Sequence, residues 1–477
     1  MKSTLSDKNT ALYVVLVAGG LVLSALIGML GIVGAGLIGA LVAGVPLVYL
    51  VVTRPKFGIM VLIVMAFLVM WVIRMGVISF PLGTLMDGME ALLILGFFIK
   101  QKQRPDWSFM KQPISILVLV WVTYNLVQVA NPVAESRMAW VYTIRSVAAV
   151  MLLFFVFCYQ VDKVWFIRWI LKIWLFLSFF AALYAIKQEM FGFFQFELNS
   201  ISDPLTTNLL FIDGHWRKFS IFSDPVAFSY NMVIGTIICI VLIFGRLPVW
   251  KKIVLACLAA LFMVVMLFSG TRGAYVLLPA AMVLLAVMNY NRRVLIFSVI
   301  GGVFFLLLVR LPTSNPAIVR FQSAFTPSDD ASFNVRKMNQ KRIQPYILTH
   351  PIGGGLGATG VWGVRFAPYS FLANFPPDSG YVRVAVELGW VGLIIFCTLM
   401  FIILRTGINN YYLIRDPELK TYTLAMVLVI FALGIGNYPQ EALVQFPNNI
   451  LFYLSAALIV ACKKLDDQQQ LTAPIQA

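Results

Sequence analysis

Apolar stretches about as long as a bilayer is thick follow one another along almost the whole chain, separated by short charged or turn-rich connectors. Only a helix or a closed barrel satisfies every backbone group in hydrocarbon, and a helix needs about 20 residues to cross. The alternation of a barrel strand is missing, so the spans are expected to be helices. With 61% hydrophobic and 12% charged residues, the chain falls well short of the roughly 25% charged residues with which a soluble domain covers its surface. The expected fold is all-α, a polytopic membrane helix bundle.

The apolar runs predict about fourteen transmembrane helices, starting near residues 11, 33, 57, 82, 113, 138, 168, 225, 253, 275, 294, 381, 421 and 450. No cleavable leader is expected, because the run from Ala11 continues directly into a second span. A net charge of +16 would suggest nucleic acid as the partner of a soluble protein, but here charge is first sorted by membrane side. More than half of the 36 basic residues fall in alternate short connectors, among them Arg54 and Lys56, Lys100 to Lys111, Lys163 to Lys172, Arg246 to Lys252, and Arg405 to Lys420. The positive-inside bias makes those connectors and both termini cytoplasmic. Membrane lipids, and no nucleic acid, are the expected surroundings. The five cysteines are odd in number, show no CxxC spacing and lie in or at the ends of apolar runs, which argues against disulfides and metal clusters.

One segment breaks the pattern. Residues 311–380 form a long polar stretch, external in this orientation, rich in aromatics and in basic residues (Arg320, Arg336, Lys337, Lys341, Arg342, Arg365). Loops of this length are functional or disordered, and this one is too apolar to be a mere linker. Ser332 to Gln344 reads as a short amphipathic helix, with Ser332 as cap, Phe333, Met338 and Ile343 apolar, and Pro345 limiting its continuation. Its cations either solvate a surface or meet an anionic ligand.

Two further basic corners fall on the same side. In Ser269-Gly270-Thr271-Arg272-Gly273, between two apolar runs, Arg272 either snorkels to the interface or offers a guanidinium fork to phosphate oxygens. Arg217 and Lys218 lead into the helix starting at Pro225, with Asp224 as a plausible cap; solvation and ligand binding are equally open for the pair. The run from His350 to Gly357 can present backbone N–H groups to a phosphate, but it is no Walker loop, and a structural turn is the favoured reading. Asp378, after two prolines and next to a helix start, is placed to act as a general base for a hydroxyl or as a helix cap. Arg383 and Glu387, four apart, are expected to pair. Asp87, Glu90 and Arg145 lie inside apolar runs, so each implies a partner or a cavity; Arg74 is another possible partner for the acids.

In this order, these motifs resemble the O-antigen ligase and Wzy polymerase superfamily of bacterial polytopic glycan transferases. The resemblance spans about Arg217 to Ile403: the Phe222 to Asn231 entry, the Ser269 to Gly273 corner, Arg336 ahead of His350-Pro351 and the glycine run, and Asp378 to Gly392 with Glu387-Leu388-Gly389. It implies two regions, residues 1–200 with seven N-terminal spans and residues 201–477 with the ligase-like spans and the periplasmic loop 311–380. It further implies a multi-pass protein of the bacterial inner membrane that moves a glycan from undecaprenyl diphosphate to a glycan or lipid acceptor, without a metal or other cofactor. Diphosphate binding would then fall to Arg272, Arg336, Arg217 and Lys218. Many ligases of the family carry a histidine beside an asparagine before the helix that follows the loop, where this chain reads Pro377-Asp378-Ser379. The catalytic base is thus expected to be Asp378 or His350. The rival reading, carried by Asp87, Glu90 and the many glycines, is a secondary transporter or a lipid-linked oligosaccharide flippase.

Overall fold

A computed structural model describes residues 44–76, 82–212, 214–314, 316–325 and 331–472, with isolated helical positions between 17 and 42. The spans expected near 11 and 33 fall largely outside the described residues. A short helix, α1 (Gly44–Thr53), matches no expected start; from residue 57 on, a helix begins within a few residues of every one: α2 (Pro55–Met75), α3 (Leu82–Gln103), α4 (Pro113–Val127), α5 (Arg137–Gln160), α6 (Val164–Phe191), α9 (Pro225–Phe244), α10 (Val249–Leu267), α11 (Arg272–Met288), α12 (Arg292–Arg310), α16 (Gly380–Leu413), α17 (Pro417–Gly436) and α18 (Asn448–Thr472). Among the described residues, ten helices are long and apolar enough to cross a membrane. α3 and α11 fall outside that ten for different reasons. α3 carries Asp87, Glu90, Lys100 and Lys102 within one helix, and α11 has only 17 residues.

The core sits where α9, α17 and α18 meet: most residues of α9 are buried, and Ala425 to Ile430 on α17 are fully enclosed. Chain direction puts the starts of α9, α11 and α16 and the ends of α10, α12 and α17 on one side of the bundle. On the opposite side, ion pairs join elements distant in sequence: Lys56 to Asp162, Arg168 to Glu418, and Lys464 to Asp106 at 2.5 Å. Between α6 and α9 the chain forms two short helices, α7 (Gln195–Ser200) and α8 (Pro204–Leu210), then a two-residue antiparallel pair, β1 (Phe211–Ile212) with β2 (His215–Trp216). Ile201, Leu210, Phe219, Phe193 and Trp216 close a small apolar cluster beneath it.

The segment between α12 and α16 holds α13 (Pro316–Ser323), α14 (Ala331–Thr349) and α15 (Gly360–Phe366). α14 runs through Pro345 instead of stopping before it. Proline removes one helical hydrogen bond, and here tertiary packing outweighs that loss: Ile343, Tyr346 and Ile347 pack with Leu372, Phe375 and Val386 across α14 and α16. Of the three apolar residues expected on one face of α14, only Ile343 is buried; Phe333 and Met338 are exposed. The side chain of Ser332, the expected cap, lies outside the described residues.

α16 breaks at Gly389, which has φ +70° and ψ −178° inside an otherwise helical run. The break admits the glycine run. Gly354 N–H donates to the Val386 carbonyl, Gly355 N–H to the Glu387 carbonyl, and Val391 N–H to the Pro351 carbonyl. A Cβ on Gly389 would lie 2.0 Å from the Pro351 oxygen, so only glycine permits this approach.

Candidate functional site

Three elements converge at the loop side of the bundle. The first is the corner between α10 and α11. Gly270 adopts φ +58° there, and two arginines close over it: Arg320 Nε donates to the Gly270 carbonyl at 2.8 Å, and Arg217 Nε donates to the Ser269 carbonyl at 2.9 Å. A second Arg217 nitrogen reaches Thr271 Oγ1 at 3.0 Å. Burial, then the neighbouring Arg320 guanidinium, pull the Arg217 pKa down to about 10, with Arg272 adding to the effect and Asp224 opposing it. Arg217, Arg272 and Arg320 therefore crowd positive charge into one corner. Nothing in the sequence distinguished Arg320 from the other loop cations.

The entry to α9 forms the floor of that corner. Asp224 caps the helix, accepting from Val226 N at 2.8 Å and Ala227 N at 3.0 Å, as its place before Pro225 suggested. Arg74, at the end of α2, donates to the carbonyls of Phe222 and Ser223 and stacks on Phe219 at 4.0 Å, fastening the turn to the first half of the chain. Lys218 is pinned by its own contacts: it is 3.3 Å from the Glu189 carboxylate, and its N–H donates to the Phe268 carbonyl.

The end of α17 joins the corner to the start of α16. Tyr230 Oη donates to the Gly436 carbonyl at 2.9 Å, and Pro439 packs where a Cβ on Gly273 would lie. One residue on from the cap of α16, Gly380 N–H donates to the Asn437 carbonyl at 2.9 Å. Ser379 is that cap, accepting from Val382 N, so Asp378 is left out of the capping role. Asp378 instead holds φ +47°, a left-handed conformation uncommon in a residue with a side chain and often found where function fixes geometry.

α14 spans both parts. Asn339 Nδ2 donates to Asp378 Oδ2 at 3.3 Å, and Arg336 lies one turn earlier on the helix. Lys337, Lys341 and Arg342 on the same helix are exposed. His350 stands at the other end of α14, about 16 Å along the axis from Asn339 at ~1.5 Å per residue. Its ring stacks on Tyr346 at 3.9 Å, and its Nδ1 lies 2.9 Å from the Tyr346 carbonyl oxygen. α14 thus carries Arg336 and Asn339 to the Asp378 end of the loop, which the end of α17 ties to the Arg272 corner, and His350 stands away from it.

The glycine run spends its N–H groups on the protein itself. Glu387, almost fully buried, accepts from Gly357 N at 3.0 Å, Thr359 N at 3.3 Å, Thr359 Oγ1 at 2.5 Å and Arg383 Nε at 3.1 Å; Arg383 also meets Glu441 at 2.6 Å. The expected Arg383–Glu387 pair is present. The Asn131 side chain further ties Ile352 and Gly353 to the end of α4.

An arginine corner lies between two spans, and the long loop that follows it ends at Asp378 with its left-handed backbone. Residues 253–397 match the O-antigen ligase family. The match agrees with the resemblance to the superfamily of O-antigen ligases and Wzy polymerases. It runs from α10 into α16 and includes Arg272, Arg320, Arg336, His350 and Asp378; Arg217 and Lys218 lie outside it. No curated protein matches the chain.

Among the intramembrane acids, Asp87 pairs with Arg145, and Arg74 is engaged elsewhere. Glu90, one turn from Asp87, is fully buried, and both its carboxylate oxygens lack a hydrogen-bond partner among the described residues.

Proposed function

We propose that this membrane protein transfers a glycan from an undecaprenyl diphosphate carrier to an acceptor hydroxyl on the periplasmic face of the bacterial inner membrane, as a ligase or polymerase in O-antigen, capsule or exopolysaccharide assembly. The observation that carries this reading is the crowding of Arg217 and Arg320 onto the Ser269 and Gly270 carbonyls next to Arg272, with α14 of the same loop carrying Arg336 and holding Asp378 through Asn339. A cluster of like charges beside a carboxylate suits a substrate with an anionic leaving group and a hydroxyl to deprotonate.

In the proposed step the acceptor oxygen bonds to the anomeric carbon, and the bond from that carbon to the diphosphate oxygen breaks. The lipid diphosphate leaves with the electron pair, and the hydroxyl proton passes to the Asp378 carboxylate. Hydrogen bonds to charged groups contribute about 1.5–3 kcal/mol each, so a few guanidinium contacts to the leaving group supply the stabilisation otherwise asked of a metal ion. Asn339 orients Asp378, and the Arg217 contacts hold the corner in shape.

Reconstitution with lipid diphosphate-linked glycan and candidate acceptors, followed by product sizing, tests the proposal. A ladder indicates a polymerase and a single addition a ligase; no product with any acceptor contradicts both. The unpartnered Glu90 beside Asp87–Arg145 favours a second reading, a transporter or flippase. A deletion strain separates them: lipid-linked units accumulate outside for the transferase and inside for the flippase.

A further inference from the structure

A cleft of 130 Å³ lies between the α4–α5 connection and the returning loop, apart from the arginine corner. Its base is the backbone of Gly354 and Gly355. A Cβ on Gly355, at φ +97°, would lie 2.6 Å from the Ala134 methyl, so the glycine brings loop and connection together. One part of the lining is aromatic, formed by Tyr346 and Phe371 with ring centroids 6.5 Å apart; the Glu135 carboxylate also lines the cleft, fixed by Ser370 Oγ at 2.8 Å.

Both aromatic rings have a neighbour of their own. His350 stacks on the far side of Tyr346, and the Arg342 guanidinium lies 5.4 Å from the Phe371 ring. This gives His350 a place in the molecule away from Asp378. Aromatic faces and a carboxylate lining one cleft match a sugar ring, whose C–H face packs on an aromatic ring while its hydroxyls donate to the acid. A phosphate would be repelled by Glu135, and a purely apolar ligand would leave that carboxylate unserved. The volume is below the roughly 300–1,000 Å³ of sites that enclose drug-sized ligands, which suits one ring.

Position relates the cleft to the proposed reaction. Tyr346 stands seven residues beyond Asn339 on α14, about 10 Å along the axis, so a glycan with its reacting end at Asp378 can run beside this helix into the cleft. Resting on the glycan-transfer reading, we infer that the cleft is a subsite for a sugar ring beyond the reacting one, with Tyr346, Phe371 and Glu135 as its recognition groups. The enzyme would therefore sense glycan length.

The test uses the purified full-length protein and two variants, Glu135→Gln and Phe371→Ala; the second covers the case in which one change disturbs the loop. Saturation-transfer NMR with neutral hexose and N-acetylhexosamine disaccharides as probes reads binding without turnover. Loss of a charge-assisted contact in Glu135→Gln, and of an aromatic packing face in Phe371→Ala, predicts about tenfold weaker binding in each variant. In reconstituted transfer, both variants should show KM raised about tenfold for a multi-sugar donor, with kcat retained and the KM for a single-sugar donor unchanged. Wild-type transfer with variants indistinguishable from wild type overturns the subsite and leaves the transferase reading standing. Disaccharide binding that is lost in the variants, without any wild-type transfer, supports the subsite and overturns the transferase reading.

Discussion

Glu387→Gln is the substitution whose cost the structure specifies most closely. The carboxylate receives four hydrogen bonds, three on Oε1 (Thr359 N, Thr359 Oγ1, Arg383 Nε) and one on Oε2 (Gly357 N). A glutamine of the same shape keeps an acceptor toward the first three and turns an NH₂ toward Gly357 N–H. One buried donor is then orphaned, at about 1–3 kcal/mol, and the other contacts fall from charge-assisted to neutral strength. Arg383 also loses one of its two carboxylates and keeps only Glu441. Together these losses approach the roughly 3–5 kcal/mol observed when a buried ion pair is broken. Because Glu387 holds the glycine run to α16, the cost should appear as local opening of the loop. Hydrogen–deuterium exchange at Gly357 and Thr359 should accelerate at least about a hundredfold, since each 1.4 kcal/mol is roughly tenfold. Exchange within about twofold of wild type would show that the loop is held by something else, and the reasoning about this network would fail.

Three other outcomes follow from the same geometry. Asp378→Asn should lower kcat by about 10²–10⁴ with KM little changed, whereas His350→Ala should leave kcat within a few fold; the reverse pattern moves the base to His350. Gly270→Ala should abolish transfer while the protein remains inserted, because its Cβ would lie 2.8 Å from Arg320 Nε at a φ of +58°; normal product from this variant would refute the corner's role. The depressed Arg217 pKa gives a pH test with a definite sign. An anion held at the corner raises that pKa again, so inorganic diphosphate should bind more weakly as pH rises through about 10, with proton uptake on binding measurable by calorimetry; affinity constant from pH 8 to 10.5 would count against the site.

Hydropathy made the helices from residue 57 onward legible, because bilayer length and apolar runs are one constraint seen twice. The local pairings were legible too: Asp224 before Pro225 as a cap, and Arg383 with Glu387 four residues on. What the sequence concealed depends on contacts between distant segments. Pro345 marks the end of a helix by its own chemistry, and only packing against α16 carries α14 past it. The glycine run read as a structural turn, as the structure has it, but what it turns against was hidden: the break at Gly389, some 35 residues later, commits its N–H groups to α16. Arg320 and Asn339 carry no motif, and only the folding of the loop onto Gly270 and Asp378 singles them out. Asp378 itself was visible as a carboxylate after two prolines, but its left-handed backbone was not.

The central claim is that the arginines at the loop side hold the leaving diphosphate. It is tested most directly by reconstituting wild type, Arg272→Ala and Arg336→Ala in equal amounts with lipid diphosphate-linked glycan and acceptor, and measuring initial transfer rates. Each substitution should lower the rate by at least about a hundredfold, the scale for losing one preorganised donor to a developing charge, while insertion and folding remain intact. Wild-type rates in both variants would contradict it.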